Sequence, residues 1–182
     1  DKTEGKILML PKELWSKMDL KESKTKFAFY LPEDRVLYFS SYGKKGATGL
    51  DIYRANQLPD GGWSEPERLG DEINTNYDEA YPYIADNGKT LYFSSTGHNT
   101  MGGYDVFKST FNVANFRWST PKNLNFPVNT PFDEIYYIPD TVNEFAYFSS
   151  NRTSVDGLIH VYKIGVNKRP FETQDLADAL RR

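Results

Sequence analysis

Two acidic pairs stand at matching places in the chain, Asp78-Glu79 and Asp133-Glu134. Each closes a short polar stretch, Asn74-Thr75-Asn76-Tyr77 in the first case and Asn129-Thr130-Pro131-Phe132 in the second. Neighbouring carboxylates can share acid and base work on a glycosidic bond if they face each other across it at a suitable separation. With hydroxyls such as Ser40-Ser41, Ser94-Ser95 and Ser149-Ser150 they could instead hold a hard cation such as calcium, which takes oxygen ligands. The repetition argues against both uses. A site used once need not recur, whereas loop amides need acceptors and adjacent strands need hydroxyl partners at every repeat. Asp78, Glu79, Asp133 and Glu134 are therefore read as candidate binding residues of a loop face, with no catalytic residue and no metal ligand assigned.

His98 is the more individual residue, in Thr96-Gly97-His98-Asn99-Thr100-Met101. With two histidines and no cysteine in the chain, a His-rich or thiolate zinc site is excluded. A nucleophilic dyad would need a positioned nucleophile and an orienting third group, and neither is recognisable by spacing. His98 is read as a loop residue or a partner contact. Asp51 and Asp105 recur before a shared apolar stretch, with His160 in the matching place, and are expected to bond the backbone of a Gly-rich loop. Trp63 and Trp118, also at matching places, are expected to be wedges between adjacent sheets rather than a sugar platform.

The elements that position these residues follow from a repeat of about 55 residues. Leu37-Tyr38-Phe39-Ser40-Ser41 returns as Leu91-Tyr92-Phe93-Ser94-Ser95 and as Ala146-Tyr147-Phe148-Ser149-Ser150. Gly49-Leu50-Asp51-Ile52-Tyr53 returns as Gly103-Tyr104-Asp105-Val106-Phe107, and Trp63-Ser64-Glu65-Pro66 as Trp118-Ser119-Thr120-Pro121. Each unit reads as four short antiparallel strands, placed in the second unit near 81–85, 89–95, 104–110 and 121–126. Asp86-Asn87-Gly88-Lys89 is the hairpin turn between the first two, with Asn-Gly suited to positive φ. A four-stranded repeat of this kind is a β-propeller blade, so the expected fold is all-β. The expected division is residues 1–23 as the second half of a preceding blade, 24–79 and 80–134 as blades, 135–164 as a partial blade, and 165–182 as a tail. Within the first segment Ile7 to Leu10 would be a third strand, and Trp15-Ser16 through Leu20 would echo the Trp-Ser element. The tail could carry a short helix from Thr173 to Arg182. About three blades plus a half fall short of closure, which takes four or more, so the chain is expected to be part of a larger propeller, the alternative being that two copies complete one ring.

The run from a tight turn to Tyr-Phe-Ser-Ser, then Gly-Gly-Tyr-Asp-Val-Phe, resembles the WD40-like repeat of TolB-type propellers. The order Trp-Ser-x-Pro, Leu, Asn-Thr, Asp-Glu over 118–134 is similar to one subgroup of them. That subgroup occurs in envelope proteins of Gram-negative bacteria, beside tetratricopeptide repeats and an outer-membrane-protein-A-like peptidoglycan-binding domain, and includes a component of the type IX secretion apparatus. The resemblance spans residues 26–164. It implies a non-catalytic, protein-binding scaffold module, periplasmic and associated with the outer membrane, whose partners are other envelope proteins. Peptidoglycan would be reached only through domains outside this chain, and no cofactor is implied. Sialidase-type propellers, whose repeated signature is Ser-x-Asp-x-Gly-x-x-Trp, do not match: Asp60-Gly61 and Trp63 give a partial echo, and the second copy lacks Asp and Gly. The alternative reading is a glycan-binding or glycan-hydrolysing propeller that uses the loop carboxylates.

Composition sets the outer bounds. Aromatics make up 15% of 182 residues, with 13 Tyr and 12 Phe, which favours strands. A formal net charge of −3, from 25 acidic and 22 basic residues of mixed order, gives no nucleic-acid footprint. No apolar run approaches the roughly 20 residues of a membrane-spanning helix. The absence of cysteine excludes disulfides and leaves the compartment open.

Overall fold

The computed structural model describes residues 5–22, 26–43, 49–140, 142, 144–154 and 157–166, so the expected helix over 173–182 lies outside the described residues. Three antiparallel sheets follow one another along the chain. The first contains β1 (Lys6–Met9), β2 (Phe27–Leu31), β3 (Val36–Ser41), β4 (Asp51–Asn56) and β5 (Glu67–Arg68), in that spatial order. The second runs β6 (Glu79–Ala85), β7 (Thr90–Ser95), β8 (Asp105–Asn112), with β9 (Arg117–Trp118) and β10 (Lys122–Asn123) both on β8. The third is β11 (Glu134–Pro139), β12 (Phe145–Ser150) and β13 (His160–Gly165). Among the described residues no helix lies between 37 and 163, and none is long and apolar enough to cross a membrane.

The three Tyr-Phe-Ser-Ser strands occupy equivalent places. Tyr38 faces Arg54, Tyr92 faces Lys108 and Tyr147 faces Lys163 across the next strand. Strand alternation then sends successive side chains to opposite faces, and both faces are apolar. Leu37 and Phe39 pack with Leu10, Leu14 and Ala55 in one cluster. Tyr38 and Ile52 pack against Ile84, Leu91, Phe93 and Phe107 of the second sheet. Tyr92 and Val106 pack in turn against Tyr137, Ala146 and Phe148 of the third. The core is thus a series of interfaces between sheets.

The β6–β7 hairpin has positive φ at Asp86, Asn87 and Gly88, as the Asn-Gly signal requires, and Thr90 Oγ1 donates to Asp86 Oδ2 at 2.6 Å. The fourth strand of this sheet is shorter than expected, only Lys122–Asn123. Asn123 ends it by accepting a hydrogen bond from the Asn125 amide at 2.7 Å, and Asn125 turns the chain with φ 55°. Trp63 and Trp118 are both half-buried, but only Trp118 packs on a cluster shared by two sheets. Trp63 packs within the first sheet and its N-terminal segment, meeting Tyr30 edge-on at 5.8 Å, and so is no wedge between sheets among the described residues.

The N-terminal segment departs from the expected half blade. β1 pairs antiparallel with β2, Ile7 opposite Phe29, and so forms the far edge of the first sheet. The segment expected to echo the Trp-Ser element is instead the helix α1 (Lys17–Glu22). The cause is a reciprocal cap, Asp19 N donating to Ser16 Oγ at 3.1 Å and Ser16 N to Asp19 Oδ2 at 2.9 Å.

Candidate functional site

The acidic pairs join one sheet to the next. Asp78 Oδ1 accepts the Leu50 amide at 2.8 Å while the Glu79 amide donates to Leu50 O at 2.7 Å. Asp133 and Glu134 hold Tyr104 in the same way, at 2.9 and 2.6 Å. Leu50 and Tyr104 immediately precede β4 and β8, so each pair staples the incoming strand, β6 or β11, to β4 or β8 of the preceding sheet. The glutamate side chains turn the other way, into their own sheet. Glu79 accepts from Thr75 N at 2.7 Å, Thr75 Oγ1 at 2.8 Å and Ser95 Oγ at 2.6 Å. Glu134 accepts from Thr130 N at 2.8 Å, Thr130 Oγ1 at 2.7 Å and Ser150 Oγ at 2.7 Å. Both are fully buried.

Asp19 fills the corresponding place in the first sheet, where it accepts from Ser41 Oγ and pairs with Lys26 Nζ at 3.0 Å. Sequence reasoning missed it because the segment that carries it does not repeat. The three sites differ in countercharge. Glu134 has Arg152 Nη2 at 3.1 Å, whereas among the described residues Glu79 has no Lys or Arg ion pair. Burial pushes Glu79 above the usual carboxylate range, against the hydrogen bonds of Ser95 and Thr75. Burial pushes Asp19 the same way, but Ser41, Ser16 and Lys26 together leave it below its ordinary value.

His98 packs rather than projects. Its Nε2 lies 3.0 Å from Ile73 O, and its ring sits between Phe107 at 5.2 Å and Phe93 at 5.9 Å. Arg152 holds the same post in the third sheet, between Phe148 and Tyr162 and bonded to the carbonyls of Pro127 and Val128. Asp105 bonds the Gly-rich loop as expected, through the Met101 amide at 2.8 Å, and Asn123 Nδ2 at 2.7 Å. Its Oδ1 is buried without a donor, and burial pushes this carboxyl up. Asp51 differs, because Arg68 stands where the second unit has Asn123 and grips it at 2.9 and 3.1 Å. His160 is exposed. Among the described residues no three His, Asp or Glu side chains are grouped to hold a metal.

A second group of residues lies where β1, β2, β6 and β11 and their adjoining loops come together. Tyr42, Tyr81, Tyr104 and Tyr136 are half-buried around a pocket of about 390 Å³ that Asp78 also lines. Tyr81 meets Tyr136 at 4.5 Å and Tyr104 edge-on at 5.8 Å. Tyr104 Oη donates to Asp78 Oδ2 at 3.3 Å. Tyr81 and Tyr136 both have left-handed φ, 56° and 57°, within register shifts of the β6–β7 and β11–β12 pairings. Bulges of this kind re-aim a side chain, and a bulky residue held at positive φ marks a constrained site. The available signal was Asp78-Glu79-Ala80-Tyr81 recurring as Asp133-Glu134-Ile135-Tyr136. In the adjoining loops Tyr77, Met101 and Phe132 are exposed.

No known protein-family model matches the chain, and no curated protein matches it.

Proposed function

We propose that this chain is a set of β-propeller blades of the TolB-like, WD40-like kind, serving as a non-catalytic protein-binding scaffold in a bacterial envelope protein. The propeller reading is supported by three antiparallel sheets with equivalent strand registers, packed face against face and joined by repeated acidic pairs. The scaffold reading is carried by one observation. The carboxylates best placed in sequence for chemistry are spent on the joints: Glu79 and Glu134 are buried in hydrogen bonds, and Asp78 and Asp133 hold the amides of Leu50 and Tyr104. Beside them the loop face offers exposed Tyr77, Met101 and Phe132, the residue types that anchor protein contacts. A periplasmic, outer-membrane-associated setting, envelope partners, a link to peptidoglycan through other domains and a role in type IX secretion belong to the same proposal. They rest on the sequence resemblance.

The complete protein would be assayed on envelope glycans and peptide libraries beside Glu79→Gln and Glu134→Gln. Capture of envelope proteins would be run beside a Tyr77→Ser, Phe132→Ser double variant. The expected result is no turnover in the parent and a captured protein lost in the double variant. Turnover that vanished in a carboxamide variant would replace the scaffold with an enzyme.

A further inference from the structure

We propose that the tyrosine-lined pocket where β1, β2, β6 and β11 come together is a seat for one cationic side chain, the guanidinium or ammonium of an Arg or Lys on a partner protein. The proposal rests on the protein-binding reading only in taking its cation from a protein. Aromatic faces attract cations through their quadrupole, and more strongly where water is excluded. Two ring contacts and a hydrogen bond hold this arrangement: Tyr81 against Tyr136, Tyr81 against Tyr104, and the Tyr104 hydroxyl on Asp78. Burial raises all four phenols, with Asp78 adding to the effect at Tyr42, Tyr81 and Tyr104. The rings therefore stay neutral, and the charge of the lining comes from carboxylates.

The lining carries Glu22 and Asp78 against Lys26, which is already paired with Asp19. Among the described residues of the lining that leaves an excess of negative charge, with the long bond from Tyr104 the one hydrogen bond to Asp78 Oδ2. Lys26 also supplies an internal precedent. Its Nζ sits 5.0 Å from the centre of the Tyr42 ring while bonded to a carboxylate, the same pair of contacts that Tyr104 and Asp78 offer an incoming cation. Ser40 is on the lining, and its buried Oγ has no hydrogen-bond partner among the described residues, which leaves an acceptor for an N–H donor that reaches it. A volume of about 390 Å³ admits a side chain and not a folded segment.

The probes are acetyl-Gly-Arg-Gly-amide, its lysine counterpart and its citrulline counterpart, which keeps the shape of arginine without the charge. Ring signals of the tyrosines would be followed by NMR as each peptide is added to the complete chain. The arginine peptide is expected to saturate in the range of about 1–10 mM, and the citrulline peptide not to saturate. Asp78→Asn keeps an acceptor for the Leu50 amide and should weaken binding about tenfold. Tyr104→Leu should weaken it too, and Glu67→Gln, the same charge change at a distant exposed pair, should leave it intact. Should Asp78→Asn fail to fold by thermal melting, the parent in 0.5 M salt serves instead, where screening must weaken a charged contact. Equal binding of citrulline, indifference to Asp78→Asn, or saturation of the same rings by neutral chitotetraose with none by arginine would each overturn the cation seat. Protein capture that persisted while the arginine peptide failed would sink this proposal and leave the protein-binding reading intact. Arginine binding without any protein captured would do the reverse.

Discussion

Asp19, Glu79 and Glu134 are three versions of one joint, and their differences have consequences for titration. Each accepts a hydroxyl from the second serine of Tyr-Phe-Ser-Ser, but only two have a cation alongside. At Glu79 burial outweighs the hydrogen bonds of Ser95 and Thr75 and raises it on folding, while at Asp19 the hydrogen bonds of Ser41 and Ser16, with Lys26, outweigh burial and lower it. The signs oppose. A raised folded value contributes stability that is present below the ordinary glutamate value and lost as pH climbs through the folded one. A lowered value contributes stability present above the ordinary aspartate value and lost as pH falls through the folded one. Urea melts across the carboxylate range should therefore show Glu79→Gln gaining on the parent as pH rises from about 4 to 7. Asp19→Asn should lose ground on the parent as pH rises from about 2 to 5. A flat or falling difference for Glu79→Gln would mean that its carboxyl is not raised in the fold. None of this was legible in the sequence, where Asp78-Glu79 and Asp133-Glu134 read alike. Partner identity depends on Arg152 and His98, which sit at unlike offsets from the repeated serines.

At the scale of elements, two buried asparagines clip β4 of the first sheet and β8 of the second. Asn74 Oδ1 accepts the Ile52 amide at 2.7 Å, and its Nδ2 donates to Ile52 O and Leu69 O at 3.0 and 2.9 Å. Asn129 repeats the clip on Val106, at 2.8 Å for both bonds, and adds Asn123 Oδ1. The clips fix the segment that delivers Asp78-Glu79 and Asp133-Glu134. Removing one leaves the buried Ile52 amide unpaired, while the Ile52 carbonyl keeps the Leu69 amide at 3.0 Å, so Asn74→Ala should cost about 1–3 kcal/mol. Asn129→Ala should behave alike in denaturant melts, and a cost under about 1 kcal/mol would show that water replaces the clip. The strands themselves were readable. Alternating aromatic and aliphatic residues, Asn-Gly at the hairpin and Pro66 or Pro121 ahead of a short last strand all act locally. The N-terminal segment was not, because periodicity says that Lys6–Met9 is extended without saying which strand it pairs with. The Ser16-x-x-Asp19 cap was present in the sequence as a helix-start signal, but the tryptophan before it matched the repeat and drew the wrong comparison. Left-handed Tyr81 and Tyr136 were also hidden, since tyrosine carries no preference for that conformation.

Among the described residues of the molecule the faces are covered in series, and the series stops at the third sheet. Leu10 and Leu14 cover one face of the first sheet, the second sheet covers its other face, and the third covers the second. Tyr92 and Val106 are accordingly 7% and 0% exposed, whereas their equivalents Tyr147 and Val161 are 41% and 73% exposed beside Phe145. Aromatic and β-branched residues on such a face are what the repeat uses for contact between sheets, and the propeller reading requires a further sheet of the same kind there. The substitution pair Val106→Asp and Val161→Asp measures this directly. In this chain Val106→Asp buries a carboxylate against Tyr92, Tyr137 and Phe148, and should cost more than about 4 kcal/mol or prevent folding. Val161→Asp should fall within about 0.5 kcal/mol of the parent, as exposed substitutions do. Where another sheet of the repeat covers Val161, the same aspartate meets a closed apolar interface and its cost approaches that at Val106. Equal costs in the chain alone would mean that the face is covered already, and small costs in the complete protein would mean that no sheet packs there. Urea midpoints for the two variants, each measured in the chain and in the complete protein, separate these cases without any knowledge of a binding partner.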